Sequence, residues 1–361
     1  MITGWMWGWC LRQMSTEVVV NTRFLSRTVT GVERYAREVT KRLRDRVTLL
    51  PSPRRMQGLA GHLWEQFSLP GKVDRGALLW SPANTGPLRI AKQVLTLHDM
   101  SPVDHPDWFK LGFAAWYSLL LPRLVRRIRK VITSSEFSRR RVMAICGVPE
   151  EHVAVIPCGV DPEHFCHRPA GDVRSLCLKY GIRGNYFLAI GPAGERKNLG
   201  SIFRAWEGFI GQYAGVELVV AGESGPVFQK GVTAEPPDGI RRLGYVDERQ
   251  LPVLYSGAVA LIYPSVYEGF GLPILEAMSC GTPVIASHSA AIPEVAGKAA
   301  VLINPNVARE MITAMQAVIS QADLRQELAQ RGLVHARQFS WDRTARSVWE
   351  VLEGARSSGT I

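Results

Sequence analysis

The sequence predicts an α/β protein of two doubly wound parallel-sheet domains that follow one another and face a cleft. Three observations predict it. Short apolar runs alternate with amphipathic stretches along the whole chain, the pattern of parallel strands covered by helices. At 361 residues the chain exceeds one ordinary domain, and its 46% of apolar residues is enough for two cores. An aperiodic stretch rich in Pro, Gly and His, residues 161–172, divides the alternation in two.

In the first half, strands are expected at 18–21, 47–50, 78–80, 94–98, 130–133 and 153–156, with helices at 31–44 and 136–146 among the connections. In the second half, the apolar runs at 186–191, 216–221, 259–263 and 283–286 read as strands. A final amphipathic stretch, 341–352, is expected to cross back onto the first domain. The expected boundaries are 14–163, 164–340 and a terminal helix within 341–361. Residues 1–13 carry three Trp but no basic start, long apolar core or small-residue cleavage site, so they make a poor signal peptide. Met14, just before the first strand pattern, is the expected start.

Composition excludes several classes. No apolar run approaches the roughly 18 residues of a membrane helix. The longest, from Leu111 to Leu121, meets Pro122 and then Arg123, Arg126, Arg127, Arg129 and Lys130. Six cysteines without a CxxC pair read as reduced thiols of a cytoplasmic protein, with no zinc site. Charge is uneven: residues 1–165 hold 24 Lys and Arg against 14 Asp and Glu, while the remainder hold 19 against 18. A basic first half implies an anionic surface nearby. Nucleic acid is disfavoured, since no recognition motif is present and aromatics do not interleave with the basic runs. Peripheral contact with anionic membrane is the expectation, with Leu119, Leu120, Leu121 and Leu124 supplying a shallow apolar contact.

The strongest chemical signal is Glu268-Gly269-Phe270-Gly271-Leu272-Pro273-Ile274-Leu275-Glu276. Pro273 suits the first turn of a helix and Gly281 its carboxyl cap. Glu268 then lies in the preceding loop and Glu276 within the opening turn. The free amides of such a helix start favour an anion such as a diphosphate, and the two glycines let backbone approach it. Upstream, Gly191-Pro-Ala-Gly-Glu-Arg196-Lys197 follows a strand and opens a helix, placing two cations where a diphosphate could leave. Gly31 lies at a helix start after the first strand, and His98-Asp99 ends a strand on the cleft side.

These motifs resemble those of the retaining glycosyltransferases with the GT-B fold, two Rossmann-like domains about a cleft, often called family 4. That family carries Glu-x7-Glu, matched by Glu268 and Glu276, and the resemblance runs from about Val18 to Trp349. It implies that Glu268 holds donor-sugar hydroxyls and Glu276 the nucleotide ribose. It further implies that Arg196 and Lys197 hold the diphosphate, Gly31 closes over the donor phosphates, and His98 reaches the reacting sugar or the acceptor hydroxyl. Gly244 and Tyr245 resemble the segment that reads the base, and Gly269, Phe270, Gly271 and Leu272 complete the donor set. Trp64-Glu65-Gln66, Ser134-Ser135-Glu136-Phe137-Ser138 and Pro157-Cys158-Gly159-Val160-Asp161 also look familial, with Cys158 where Asn is common.

The implied function is transfer of a hexose from a nucleotide-diphosphate sugar to a lipid-linked or polysaccharide acceptor in cell-surface glycan synthesis. The opening segment resembles bacterial polysaccharide mannosyltransferases, which favours GDP-mannose; users of UDP-glucose and dTDP-rhamnose share the motifs. No cofactor is expected, and no metal, since Arg196 and Lys197 supply countercharge and no Asp-x-Asp pair is present. No GxGxxG follows a strand, which argues against a dinucleotide oxidoreductase. A GT-B epimerase or phosphorylase, and an inactive sugar-nucleotide-binding subunit, remain alternatives.

Overall fold

A computed structural model describes residues 17–53, 58–191, 194–222 and 237–357. The expectation about residues 1–13 lies outside the described residues. The first sheet holds β1 (Val18–Asn21), β2 (Thr48–Leu50), β3 (Leu78–Ser81), β4 (Gln93–Thr96), β5 (Lys130–Thr133) and β6 (Val153–Val155), in the order β2-β1-β3-β4-β5-β6. The second holds β7 (Asn185–Ile190), β8 (Val216–Ala221), β9 (Ile240–Gly244), β10 (Ala260–Tyr263), β11 (Val284–Ser287) and β12 (Val301–Ile303), in the order β12-β11-β10-β7-β8-β9. Every pairing is parallel. Central strands such as β1, β3, β10 and β11 are buried along their length, as expected of sheets covered on both faces.

Two strands escape the apolar-run criterion, β9 and β12. Both are edge strands, where one side needs no partner and polar residues are tolerated. β9 reads Ile-Arg-Arg-Leu-Gly, and β8 shifts register against it between Val220 and Ala221. β4 ends at Thr96, two residues earlier than expected, so His98 sits in the loop beyond the sheet.

The chain crosses between domains twice. Val160 and Ser340 form an isolated parallel bridge at the crossing. Beyond it the helix Trp341–Ser357 packs against the first domain's helix Gly31–Arg42 and lies beside β3, β4 and β5. Its Trp341, Val348 and Leu352 are buried in one cluster with Val20, Tyr35 and Val39, and Arg42 Nε bonds Asp342 at 2.6 Å.

The helix Leu111–Arg127 corrects one expectation. It continues through Pro122, and Leu120, Leu121 and Leu124 are buried, the last two in one cluster with Leu95 and Val131. They supply no surface contact. The linear run looks uniformly apolar, but the 3.6-residue period turns three of these four leucines inward and leaves Leu119 and Leu111 outside. Part of the basic run serves the helices themselves. Arg126 Nε donates to the carbonyl of Cys146 at 2.7 Å and Arg129 to that of Ala355, so both satisfy carbonyls at helix ends. Among the described residues no helix is long and apolar enough to cross a membrane.

Candidate active site

The carboxyl ends of parallel strands are where ligands bind in such sheets, and here the loops leaving β7 and β10 converge. After β7 the chain turns at Gly191, whose φ is +131°. The stem of Lys197 lies directly over it; a Cβ at 191 would sit 2.8 Å from Lys197 Cε, so only glycine lets the lysine lie down into the site. Lys197 Nζ then meets Glu268 Oε1 at 2.7 Å and donates to the Tyr263 hydroxyl at 2.6 Å. Arg196 reaches the other carboxylate oxygen of Glu268 at 3.1 Å. Lys197 and Glu268 are both buried.

Electrostatics follow from that arrangement. Burial pushes the Glu268 carboxyl up, but Arg196 and Lys197 outweigh it and hold it below its ordinary range. Burial pulls the Lys197 ammonium down, Glu268 opposes and Arg196 adds to the lowering, and the net shift is downward. Arg196 moves the other way, its burial outweighed by Glu268 and by Asp99. Glu268 is thus an ionised acceptor held by two cations, suited to orienting hydroxyls.

The loop carrying Glu268 is held from the opposite domain. The Gly269 carbonyl accepts hydrogen bonds from Ser134 and Ser135 hydroxyls at 3.0 and 2.8 Å. A Cβ at Gly269 would come within 2.1 Å of the His98 carbonyl oxygen, so the close approach of the two domains needs glycine there. Phe270 is buried near Phe339, with ring centroids 6.1 Å apart. Gly271 precedes the helix Leu272–Ser279. Pro273 lies in its first turn, and Gly281 follows its end, as the sequence suggests. Glu276, expected in the opening turn, is the fifth helical residue and begins the second turn, because the helix starts at Leu272.

Glu276 belongs to a second group. It is buried, accepts from the Tyr255 hydroxyl at 2.8 Å and pairs with Arg34 of the first domain, whose Nε also meets Glu248 at 3.1 Å. A cavity of about 440 Å³ opens beside this pair, lined by Arg34, Phe165, Tyr245, Glu248, Leu272 and Glu276 among others. Gly244 ends β9 and delivers the exposed Tyr245 to its rim. Across the cleft, Gly31 starts its helix with its α-carbon facing Leu272; a Cβ there would lie 3.5 Å from Leu272 Cδ1.

The predicted residues therefore fall into two adjoining groups, Arg196, Lys197 and Glu268 in one and Tyr245, Leu272 and Glu276 in the other. His98 joins neither through its ring. Its imidazole is buried edge-on to Tyr35 at 4.7 Å, with Nε2 3.4 Å from the Pro82 carbonyl, and burial lowers its pKa. What His98 brings to the cleft is its backbone carbonyl, against Gly269 and bonded by Ser138 Oγ at 3.1 Å. Sequence reading missed Arg34, Tyr255 and Tyr263. Arg34 had a signal, three residues after Gly31 and hence at the same helix end; the two tyrosines are contributed by distant segments with no local cue.

Trp64-Glu65-Gln66 also finds a place, at the carboxyl edge of the first sheet. Glu65 accepts from Asn21 Nδ2 at 2.7 Å, Thr85 Oγ1 at 3.1 Å and Arg23 at 2.8 Å, and Arg23 also lies 3.1 Å from His62 Nδ1. Gln66 bonds the Gly86 carbonyl and the Leu88 amide, fixing the loop that follows β3.

Comparison with known proteins agrees with this geometry. Residues 74–164 match the family described as Glycosyltransferase Family 4, and residues 184–321 the family described as Glycosyl transferases group 1. The chain is 31% identical over 262 residues to O-antigen chain mannosyltransferase B of Escherichia coli, covering 71% of this chain and 68% of that protein. It is 30% identical over 246 residues to O-antigen chain mannosyltransferase RfbU of Salmonella typhimurium, covering 67% and 65%. Among solved structures, Anabaena HepE in complex with UDP-glucose superposes with a TM-score of 0.72 at 17% identity, over 93% of this chain and 99% of that one. Sucrose-phosphate synthase from Thermosynechococcus elongatus gives 0.71 at 18%, over 93% and 98%. The chain belongs to the group 1, family 4 glycosyltransferases, and its fold is GT-B.

Proposed function

We propose that this glycosyltransferase transfers mannose from GDP-mannose, with retention, to a lipid-linked or polysaccharide acceptor in cell-surface glycan synthesis. The observation that carries the reading is the convergence of Arg196 and Lys197 on one buried carboxylate, Glu268, beside a cavity edged by Glu276 and Tyr245. The cavity takes the nucleoside, with Glu276 on the ribose, and the diphosphate lies toward Arg196 and Lys197. Mannosyltransferases at 31% and 30% identity favour mannose as the sugar.

With Glu268 committed to two cations, it orients donor hydroxyls rather than attacking carbon. The donor bond loosens to an oxocarbenium-like state, the acceptor hydroxyl attacks the same face, and the departing phosphate oxygen takes the acceptor proton. Arg196 and Lys197 stabilise the charge that grows on the diphosphate, so no metal is needed. The protein works as a cytoplasmic enzyme at the membrane face that carries the acceptor. Support for that contact is a set of exposed apolar side chains on the first domain. Leu59, Leu63 and Phe67 are exposed at four-residue steps, and Leu111 and Leu119 are exposed on the helix that ends in Arg123, Arg126 and Arg127. His62 and Trp116, ring centroids 5.3 Å apart, hold the two stretches side by side.

Nucleotide sugars are screened for thermal stabilisation, since a ligand binding only the folded state raises stability, and then for turnover with and without EDTA. GDP-mannose is expected to stabilise and to react in EDTA, giving an α-linked product by NMR. Stabilisation by UDP-glucose or dTDP-rhamnose alone overturns the donor. An inverted product, or loss of activity restored by Mg²⁺ or Mn²⁺, overturns the mechanism.

A further inference from the structure

Tyr267, next to Glu268 in the chain, does not stay in its own domain. Its side chain, 5% exposed, enters the first domain, where the hydroxyl donates to Asp104 Oδ2 at 2.7 Å. Asp104 ends the short helix Ser101–Asp104 that follows β4, and Arg141 grips it through both carboxylate oxygens, with Nε at 2.9 Å from Oδ2. Rings close around the phenol: His105 at 5.4 Å, Trp108 at 6.2 Å and Phe137 at 5.2 Å between centroids, all from the first domain. His105 and Trp108 are themselves stacked at 3.9 Å. On the other side of Glu268, Gly269 is bonded by Ser134 and Ser135. Glu294, also from the second domain, accepts from the Glu136 and Phe137 amides at 2.7 and 2.8 Å, at the start of the helix Glu136–Cys146. The segment around Glu268 is thus bound to the first domain on both sides, through the Tyr267 side chain and the Gly269 carbonyl. Within the second domain the Val266 amide donates to the Arg196 carbonyl, the Glu268 carbonyl accepts from the Ala291 amide, and the Glu268 carboxylate is bound to the two cations.

From this we infer that Tyr267 and Asp104 are positioning residues: their hydrogen bond makes the placement of Glu268 depend on closure of the two domains. When the domains part, Tyr267 leaves Asp104 and Gly269 leaves Ser134 and Ser135, and the loop holding Glu268 loses both of its outer anchors. Closing restores them, so the donor sugar meets a set Glu268 only when the first domain is in place. The arrangement makes hydrolysis of the donor by water in an open cleft unproductive. Burial of the phenol raises its pKa, so it remains a donor across the working range. Arg141 and Tyr267 together keep Asp104 ionised against its burial.

The inference rests on the proposed role of Glu268, and the test separates the two. Tyr267→Phe keeps the ring and removes one hydroxyl; Asp104→Asn removes the acceptor charge. Three measurements are made on the full chain: turnover of GDP-mannose, calorimetric affinity for GDP, and hydrogen–deuterium exchange of the amides at 267–271. Each variant is expected to lower kcat about ten- to a hundredfold, the scale of a hydrogen bond to a charged group. GDP affinity stays unchanged, exchange at 267–271 rises, and the double variant loses no more than the worse single one. Turnover of Tyr267→Phe within twofold of the parent, multiplicative losses, or unchanged exchange at 267–271 overturns the latch. Wild-type turnover in Glu268→Gln, or no turnover of GDP-mannose by the parent, overturns the donor-site reading instead, and the exchange measurement still decides the latch.

Discussion

Each domain buries a cation against a glutamate at the carboxyl edge of its sheet, Arg23 with Glu65 in the first and Lys197 with Glu268 in the second, and the two sites are built for different ends. In the first domain Arg23 meets Glu65 one to one, with His62 beside the guanidinium. The carboxylate there accepts from Asn21 at the end of β1, from Arg23 just beyond it and from Thr85 in the loop after β3. In the second domain two cations from one turn converge on Glu268, and the shell is finished by a single tyrosine. A buried pair whose carboxylate is ringed by protein donors fixes loops relative to strands. Cations that share one carboxylate beside a cavity can also serve an incoming anion. Burial alone therefore does not separate framework from chemistry; between these two sites the difference lies in how many cations share the carboxylate.

The most severe way to break this comparison is Glu65→Ala. It leaves Arg23 buried without its counterion, and such a loss is expected to cost about 3–5 kcal/mol of stability, read as a fall in the urea midpoint at constant slope. A cost below about 1 kcal/mol, the scale of an exposed pair, makes the buried pair dispensable. Next in size is Lys197→Ala, which should lower kcat and kcat/KM together by roughly 2–4 kcal/mol in the barrier, because its charge matters most as the diphosphate departs. Steady-state kinetics checks it, and near-parental turnover assigns Lys197 to the framework as well.

A smaller effect sharpens the first-domain half. Burial first, and then the charges of Arg23 and Arg27, hold the His62 pKa down at about 3, against an ordinary 6.5. The folded value lies below the unfolded one, so the stability His62 contributes is complete above pH 6.5 and is lost as pH falls toward 3. Unfolding free energy measured over that range should therefore fall more steeply in the parent than in His62→Gln, by at most about 1.4 kcal/mol per pH unit. Parallel curves would show that His62 protonates freely and is not coupled to the Arg23–Glu65 pair.

The smallest effect concerns the outer surface. Arg126 and Arg129 bond carbonyls of neighbouring helices, whereas Arg127 is exposed and the exposed Arg123 donates to the Leu119 carbonyl of its own helix. Replacing Arg123 and Arg127 with Gln should weaken co-sedimentation with anionic vesicles by about 1 kcal/mol per residue, an effect that fades as salt rises. Neutral vesicles should bind little in either case. Equal binding of parent and variant moves the contact elsewhere on the molecule.

Much of the fold was legible because buried parallel strands are short, apolar and bounded by turn residues. Strands β1, β5 and β8 lie at the expected residues, and the helix Glu136–Cys146 at the expected bounds. β9 and β12 were not legible, because an edge strand is defined by its neighbour's hydrogen bonds rather than by its own side chains. In the site, Glu268, Arg196 and Lys197 could be singled out in advance, since glycine-rich turns between strand and helix limit which side chains can face a ligand. His98 illustrates the limit: its position in the chain pointed to the cleft, but a side chain's direction is set by what packs against it, here Tyr35 and Pro82.

The sequence by itself determined two parallel-sheet domains, the place of the glycine-rich turns between strand and helix, and the uneven charge. All of these depend on local periodicity, on glycine and proline geometry or on composition, which neighbouring residues encode together. Only the tertiary structure decided that Arg34 pairs with Glu276, that Tyr267 reaches Asp104, and that three leucines of one helix face inward. Those contacts join residues 242 and 163 positions apart in the first two cases. They exist because folding brings the carboxyl edges of two sheets together, and no local pattern carries a relation between side chains that meet only across a cleft.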